Sequence, residues 1–169
     1  GSSLAHKSEL GAVAINLAGP QEVADVASAI TALPGVDQLL VETMVSDAIA
    51  EVIVGIKRDA TLGLGLVLGS GGILTNLLND AVTLLLPTTR DEIKQAFSTL
   101  KGFPLLNGFR GRPTGDVDAL CDAALSVTAY AEAHADKLLE LDVNPLLVRP
   151  NGHGVVAVDA LIRLGKPAS

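Results

Sequence analysis

The chain has 169 residues, with 49% hydrophobic residues, 2% aromatic residues and a net charge of −7. This length suffices for one large domain or part of one, and the scarcity of aromatic residues predicts a core of Leu, Val, Ile and Ala. The acidic balance argues against nucleic acid as a partner, and apolar runs such as 62–68 are too short for a membrane span. We expect no secretory signal, and the single cysteine excludes an internal disulfide and fits a reducing cytoplasm.

The first stretch dense in reactive groups is His6-Lys7-Ser8-Glu9, which leads into a predicted strand at 12–17. A neutral imidazole is a competent nucleophile near pH 7, although an exposed loop is the simpler interpretation of a lone histidine. Pro20 then suits the first turn of a helix. Apolar residues recur at helical spacing up to Ile30, and a Pro-Gly pair ends this pattern.

Two apolar stretches, 38–45 and 49–58, predict buried strands joined as a hairpin. Glu51 places a carboxylate inside the second stretch, and an unpaired buried charge is costly. We therefore expect Glu51 to pair with Lys57, with Arg58 or with a backbone donor.

Five glycines fall within residues 62–72, in the sequence LGLGLVLGSGG. Glycine permits positive φ and close approach of the backbone, and successive N–H groups can form an anion-binding nest. The stretch matches neither a Walker motif nor a dinucleotide-binding fingerprint. Alone it is a weak indication of a phosphate site.

Helices are predicted on either side of a basic loop. Thr89 and Glu92 have the spacing of a capping box, and Asp116 suits the N-cap of a second, longer helix. Between them Arg110 and Arg112 lie among glycines. A guanidinium matches phosphate geometry, and a surface loop of ion pairs is the alternative.

The C-terminal region predicts a hairpin over 137–160. With a period of two, Glu140, Asp142 and Asn144 share one strand face, and the return strand places Asp159 beside Asn144. Two carboxylates and an amide oxygen are hard ligands of the kind that Mg²⁺ takes when phosphates complete its shell. The alternative is that the two aspartates only cap strand ends.

Several of these motifs carry a family resemblance. The pattern ELDVNPLLV…GVVAVDALI resembles the C-terminal hairpin of ATP-grasp proteins and, more narrowly, the nucleotide-binding domain of NDP-forming acyl-CoA synthetases, relatives of the succinyl-CoA synthetase β subunit. LAHKSELGAV, LVETMV…AEVIVGIKRD and LGLGLVLGSGGI resemble further motifs of that group, in the same order. The resemblance implies an ATP-grasp fold of the α+β class, with a mainly antiparallel sheet and about three packed helices. Residues 1–36 would end the first lobe, and 37–169 would form the nucleotide- and metal-binding lobe.

The resemblance also implies roles for single residues. His6 would carry the phosphoryl group, the backbone of 41–44 would meet the adenine edge, and Glu51 and Arg58 would face the nucleotide cleft. Asn76 stands where the family has a glutamate, and an amide cannot balance positive charge or act as a base. The implied nucleotide-binding residues are Val41, Glu42, Thr43, Met44, Glu51, Arg58, Gly71 and Gly72, and the implied Mg²⁺ ligands are Asp142, Asn144 and Asp159.

The implied reaction is acid + CoA + ATP ⇌ acyl-CoA + ADP + phosphate, through an acyl phosphate and a phosphohistidine, with ATP or ADP and Mg²⁺ as cofactors. The implied partners are the CoA-binding and ligase domains, or a subunit, of the same cytoplasmic, oligomeric enzyme, with no nucleic acid and no membrane. The isolated piece is expected to be inactive.

Two alternatives stay open. An ATP-grasp carboxylate–amine ligase shares the fold and the hairpin but has no use for a His-Lys-Ser-Glu loop. A non-catalytic module for nucleotide sensing or subunit docking is kept open by Asn76.

Overall fold

The structure is a computed structural model that describes residues 11–72 and 79–165. The chain divides into two compact units, an N-terminal unit (Gly1–Ser46) and a C-terminal unit (Asp47–Ser169). The predicted lobe boundary after residue 36 stays a prediction. No helix within the described ranges is long and apolar enough to cross a membrane.

The N-terminal unit contains one helix in its described part, α1 (Pro20–Thr31). Pro20 occupies the first turn as predicted, and the Glu22 carboxylate accepts a hydrogen bond from the Ala18 N–H at 2.7 Å. Residues 12–17 and 38–45 are not strands, so these two predictions are wrong, and so is the predicted hairpin of 38–45 with 49–58. The predicted strand at 49–58 is present. Apolar composition predicted them, but a strand needs a neighbour for its backbone groups, and the described part of this unit has no ladder.

The C-terminal unit is built on one antiparallel sheet of six strands. The strand order is β3-β2-β1-β4-β5, and β6 also pairs with β4. The Asp59 carboxylate organises the β1–β2 turn, because it accepts hydrogen bonds from the N–H groups of Thr61 and Leu62 at 2.7 and 2.8 Å. The strands are β1 (Ala50–Asp59), β2 (Gly63–Ser70), β3 (Ala81–Leu85), β4 (Leu138–Val148), β5 (Val155–Ala157) and β6 (Ala160–Leu164).

Two helices of this unit, α2 (Arg90–Thr99) and α3 (Val117–Ala133), pack on one face of the sheet. The predicted capping box at Thr89 and Glu92 is present. Asp116 caps α3 by accepting a hydrogen bond from the Ala119 N–H at 3.1 Å. The largest fully buried side chains are Phe97, Ile56, Leu66, Leu68, Ile93, Leu120, Leu138, Val54, Val148 and Cys121.

Strand alternation separates this core from the opposite sheet face. On β1, Val54 and Ile56 are buried in the core, whereas Gly55 and Lys57 alternate with them. Gly55 pairs with Asp142 of β4, and Lys57 pairs with Glu140. The α+β class, the antiparallel sheet and the three α-helices of the described ranges agree with the prediction. The polar residues of the predicted hairpin lie on the face away from the helices.

Candidate functional site

The middle of β4 contains a bulge at Asn144-Pro145. Two residues of β4 lie there opposite the single residue Ile53 of β1, since the register pairs Val52 with Leu146 but Val54 with Val143. An extra residue in one strand disrupts the ladder and redirects side chains, which is why bulges recur beside functional sites. Asn144 is exposed at this point.

The return arm of the hairpin, made of β5 and β6, is interrupted opposite this bulge. β5 ends at Ala157 and β6 begins at Ala160, so Val158 and Asp159 face the bulge. The Asn144 N–H donates to the Asp159 carbonyl, and the Val158 N–H donates to the Pro145 carbonyl, both at 3.1 Å. Asn144 and Asp159 are therefore neighbours across the hairpin, as the sequence predicted.

Asp142 completes a cluster of oxygen-bearing side chains with these two residues. Burial raises the pKa of Asp142, the negative charges of Glu140 and Asp159 raise it further, and a hydrogen bond from the Asn144 side chain opposes them. A Cβ on Gly55 would lie 3.1 Å from the Leu141 carbonyl oxygen and 3.4 Å from Asp142 Oδ1, so glycine allows close packing of β1 against β4 beside this carboxylate. The cluster concentrates negative charge that a cation would offset.

These donors fit a hard divalent cation. Carboxylate and amide oxygens are the ligands of Mg²⁺, which commonly completes its shell with phosphates. Glu140 is neutralised by Arg163, whose Nη2 lies 3.1 Å from its Oε2. Within the described ranges no group of three or more His, Cys, Asp or Glu could hold a metal ion. The cluster of Asp142, Asn144 and Asp159 would therefore need oxygens from a further source, such as a nucleotide.

Glu51, Gly71 and Gly72 meet where β1 begins and β2 ends. The Gly71 N–H donates to the Glu51 carbonyl at 2.8 Å, and a Cβ on Gly72 would lie 2.9 Å from Glu51 Oε2. Gly72 has φ +63°, which favours glycine. Glu51 is exposed, so the expectation that it is a buried charge is wrong. It is the second residue of β1, where solvent reaches the carboxylate and no charged partner is needed.

A pocket of about 360 Å³ adjoins these three residues. Its walls are mainly apolar and come from the sheet, from α2 and from the turn after it. The lining residues include Ile49, Val52, Phe97, Leu100, Phe103 and Leu106.

Arg58 does not face the same way as the cluster. Its Nε donates to the Leu138 carbonyl at 2.8 Å, and its Nη2 donates to the Ala135 carbonyl. Arg58 therefore points away from the cluster of Asp142, Asn144 and Asp159, and its role in the nucleotide cleft stays a prediction. The physical reason is strand alternation, since Arg58 shares its parity with Val54 and Ile56, which point into the core.

The roles of the remaining candidate residues stay predictions. His6 and Asn76 lie outside the described residues. Val41 and Met44 are 66% and 50% exposed in the N-terminal unit, and the roles of Val41, Glu42, Thr43 and Met44 at the adenine edge stay predictions.

Ser70 and Asp80 were not identified from the sequence. Both are buried polar residues, and they flank the segment that joins β2 to β3. The available signal was an aspartate directly before the apolar run 81–86, a position where a carboxylate must find donors if it is buried.

Comparison with known proteins assigns the chain to a family. The chain matches the ATP-grasp domain over residues 1–164. It is 32% identical over 166 residues to acetate–CoA ligase [ADP-forming] II of Archaeoglobus fulgidus, covering 98% of this chain and 24% of the relative. It is 34% identical over 114 residues to the β subunit of acetate–CoA ligase [ADP-forming] II of Pyrococcus furiosus, covering 68% of this chain and 48% of the subunit. The chain thus spans a quarter to a half of these relatives.

A solved structure with the same fold is the dinucleotide-forming acetyl-coenzyme A synthetase 1 of Candidatus Korarchaeum cryptofilum. The TM-score is 0.78 at 27% identity, and the match covers 98% of this chain and 73% of that chain. That protein was solved with coenzyme A and Mg-AMPPCP, with its phosphohistidine segment pointing towards the nucleotide-binding site.

Proposed function

The chain belongs to the ATP-grasp domain family, and from this premise we propose that it is the nucleotide-binding part of an ADP-forming acyl-CoA ligase. The main observation behind this proposal is the cluster of Asp142, Asn144 and Asp159. It lies where the bulge of β4 faces the gap between β5 and β6. The relatives named above as ADP-forming ligases support the reaction class. Because the chain spans only part of them, the reaction needs further domains or a subunit that bind CoA and the acid.

Asp142, Asn144 and Asp159 would hold the Mg²⁺ that accompanies the nucleotide. When bound, the ion would neutralise charge on the nucleotide phosphates and on the transferred phosphoryl group. The protein's part is to fix the three donors. Asn144 and Asp159 are held by their backbone hydrogen bond, and Asp142 is held between Gly55 and Leu161 in the sheet register.

Glu51, Gly71 and Gly72 would form the next part of the nucleotide site. Gly71 and Gly72 bring backbone against Glu51 without intervening side chains, which is the close approach that a phosphate-binding strand end needs. His6 would accept the phosphoryl group, with Lys7 screening its charge. The phosphohistidine segment of the Korarchaeum protein supports this assignment.

The test is phosphorylation of the full-length ligase that contains this chain, using Mg-[γ-³²P]ATP. We expect an acid-labile, base-stable phosphate that His6→Ala removes, together with acid- and CoA-dependent release of ADP. The chain has three histidines, so His134→Ala and His153→Ala are matched controls that should retain the label. ADP release that depends on an amine, without a phosphohistidine, would instead identify a carboxylate–amine ligase. Absence of nucleotide binding would leave only a docking module.

A further inference from the structure

Ser70 and Asp80 form a buried contact at the base of the segment that joins β2 to β3. Their exposed fractions are 5% and 8%. The Ser70 hydroxyl donates to Asp80 Oδ2 at 2.5 Å, and the Ser70 N–H donates to the Asp80 carbonyl at 2.9 Å. We call this pair the Ser70–Asp80 clamp. It joins the end of β2 to the residue before β3 through side chain and backbone together.

The turn after α2 forms the third side of the clamp. The N–H groups of Lys101 and Gly102 donate to Asp80 Oδ1 and Oδ2 at 2.9 and 3.0 Å. A Cβ on Gly102 would overlap the Ser70 hydroxyl, so only glycine allows this approach. Burial tends to raise the pKa of Asp80, but the hydroxyl and the two N–H groups outweigh it and hold the pKa below its usual value. The buried group is an ionised carboxylate supplied with donors.

Ser70 of the clamp immediately precedes Gly71 and Gly72 in the sequence. On the other side, Gly71 is held by Glu51, whose carbonyl accepts the Gly71 N–H at 2.8 Å. A Cβ on Gly71 would lie only 2.8 Å from the Glu51 carbonyl carbon. Gly71 is therefore confined between the clamp and the backbone of β1.

We propose that Asp80 is a positioning residue for nucleotide binding, because it fixes Ser70 and thereby holds Gly71 and Gly72 against Glu51. This inference rests on the proposed function, in which these three residues contact the nucleotide. Asp80 itself touches no nucleotide in this proposal. It acts through the backbone that follows Ser70.

The principal variant is Asp80→Asn in the full-length ligase. The asparagine keeps the size but replaces one acceptor by a donor, which then faces a backbone N–H. We expect the KM for ATP to rise about tenfold or more while kcat changes by less than about threefold, the sign of lost ground-state positioning. Amide hydrogen exchange at Gly71 should accelerate roughly tenfold or more, because its hydrogen bond to Glu51 opens more often.

Asp59→Asn is the matched control. Asp59 also accepts two backbone N–H groups, from Thr61 and Leu62, and its pKa is likewise lowered by those hydrogen bonds. Asp59 is, however, the last residue of β1 and pairs with Gly63, the first residue of β2, whereas Ser70 is the last residue of β2. We expect both the KM for ATP and the exchange at Gly71 to stay unchanged in this variant.

Ser70→Ala is a second variant for use if Asp80→Asn does not fold, since it leaves Asp80 with two backbone donors.

Unchanged hydrogen exchange at Gly71 in a folded variant would overturn the clamp. Faster exchange with an unchanged KM for ATP would make the clamp structural only and overturn the positioning role. Failure of the unsubstituted ligase to bind ATP would overturn the proposed function and the positioning role together, whereas the Gly71 exchange would still decide the clamp.

Discussion

Arg149 donates three hydrogen bonds to the two carboxylate oxygens of Asp47, at 2.9–3.1 Å, across 102 residues of sequence. Asp47 is the first residue of the C-terminal unit. Two residues later, the Ile49 N–H donates to the Val148 carbonyl at 2.7 Å. The start of this unit is therefore fastened to the end of β4, the strand that also carries Asp142 and Asn144.

We expect Asp47→Asn to lower the Tm at pH 7 and to lower it less at pH 2. The hydrogen bonds from Arg149 hold the pKa of Asp47 below its usual value. A lowered carboxylate pKa contributes stability above about pH 4, and this contribution is lost as the pH falls through the folded-state pKa. Thermal melts at both pH values, with the exposed Asp136→Asn as control, measure it. An equal difference at pH 7 and pH 2 would contradict an electrostatic origin.

Asp159→Asn should impair the full-length ligase through its use of Mg²⁺. The change keeps the side-chain size and removes one ligand charge, so the loss should be on the order of several kcal/mol of transition-state stabilisation. The measurement is kcat/KM against Mg²⁺ concentration, with Asp136→Asn again as the control. Normal rate and Mg²⁺ dependence would make Asp159 a residue that only caps its strand end.

Asp142→Asn should stabilise the metal-free protein while weakening cation binding. The pKa of Asp142 is raised by burial and by the charges of Glu140 and Asp159, so its ionised form is unfavourable in the fold. A neutral amide removes that repulsion and also removes a ligand charge. We expect a higher Tm without metal and an affinity for Mn²⁺, used as a probe, that is roughly tenfold lower or more. A lower Tm would mean that Asp142 is not under repulsion.

Arg58 and Lys57 provide a test of which face of β1 serves the site. Arg58→Met removes charge-assisted hydrogen bonds to the Leu138 and Ala135 carbonyls and should lower the free energy of unfolding by about 1.5–3 kcal/mol. Lys57→Met changes an exposed residue and should stay within about 0.5 kcal/mol. Urea denaturation measures both. The KM for ATP should be normal in Arg58→Met at a temperature where it is folded, and a large rise would restore Arg58 to the nucleotide site.

Local patterns predicted the parts of the fold that depend on neighbours in sequence. The capping box at Thr89, the cap at Asp116 and the pairing of Asn144 with Asp159 all follow from spacing within one turn or one hairpin. The same alternation that buries Val54 and Ile56 places Arg58 with them, although the family resemblance implies that Arg58 faces the nucleotide cleft.

The features of the fold that the sequence could not predict depend on contacts between residues far apart in the chain. The apolar stretch 38–45 looks like a buried strand, yet a strand exists only where another strand accepts its backbone groups, and Leu40 is 81% exposed. The Ser70–Asp80 clamp brings in Lys101 and Gly102, about twenty residues later. No spacing rule relates an aspartate before a strand to the N–H groups after a helix.

The hairpin of β4 keeps one register across its interruption, from Val148 paired with Val155 to Glu140 paired with Arg163. Asn144 and Asp159, on the two arms of this hairpin, are therefore brought together by the register, since each lies the same number of residues from the turn. The pairing of Asn144 with Asp159 depends on the register of the two arms and not on the number of residues in the turn between Val148 and Val155. Deleting Val156 would leave every ligand in the sequence but shift the return arm by one residue, which sends Asp159 to the opposite face of the sheet from Asn144.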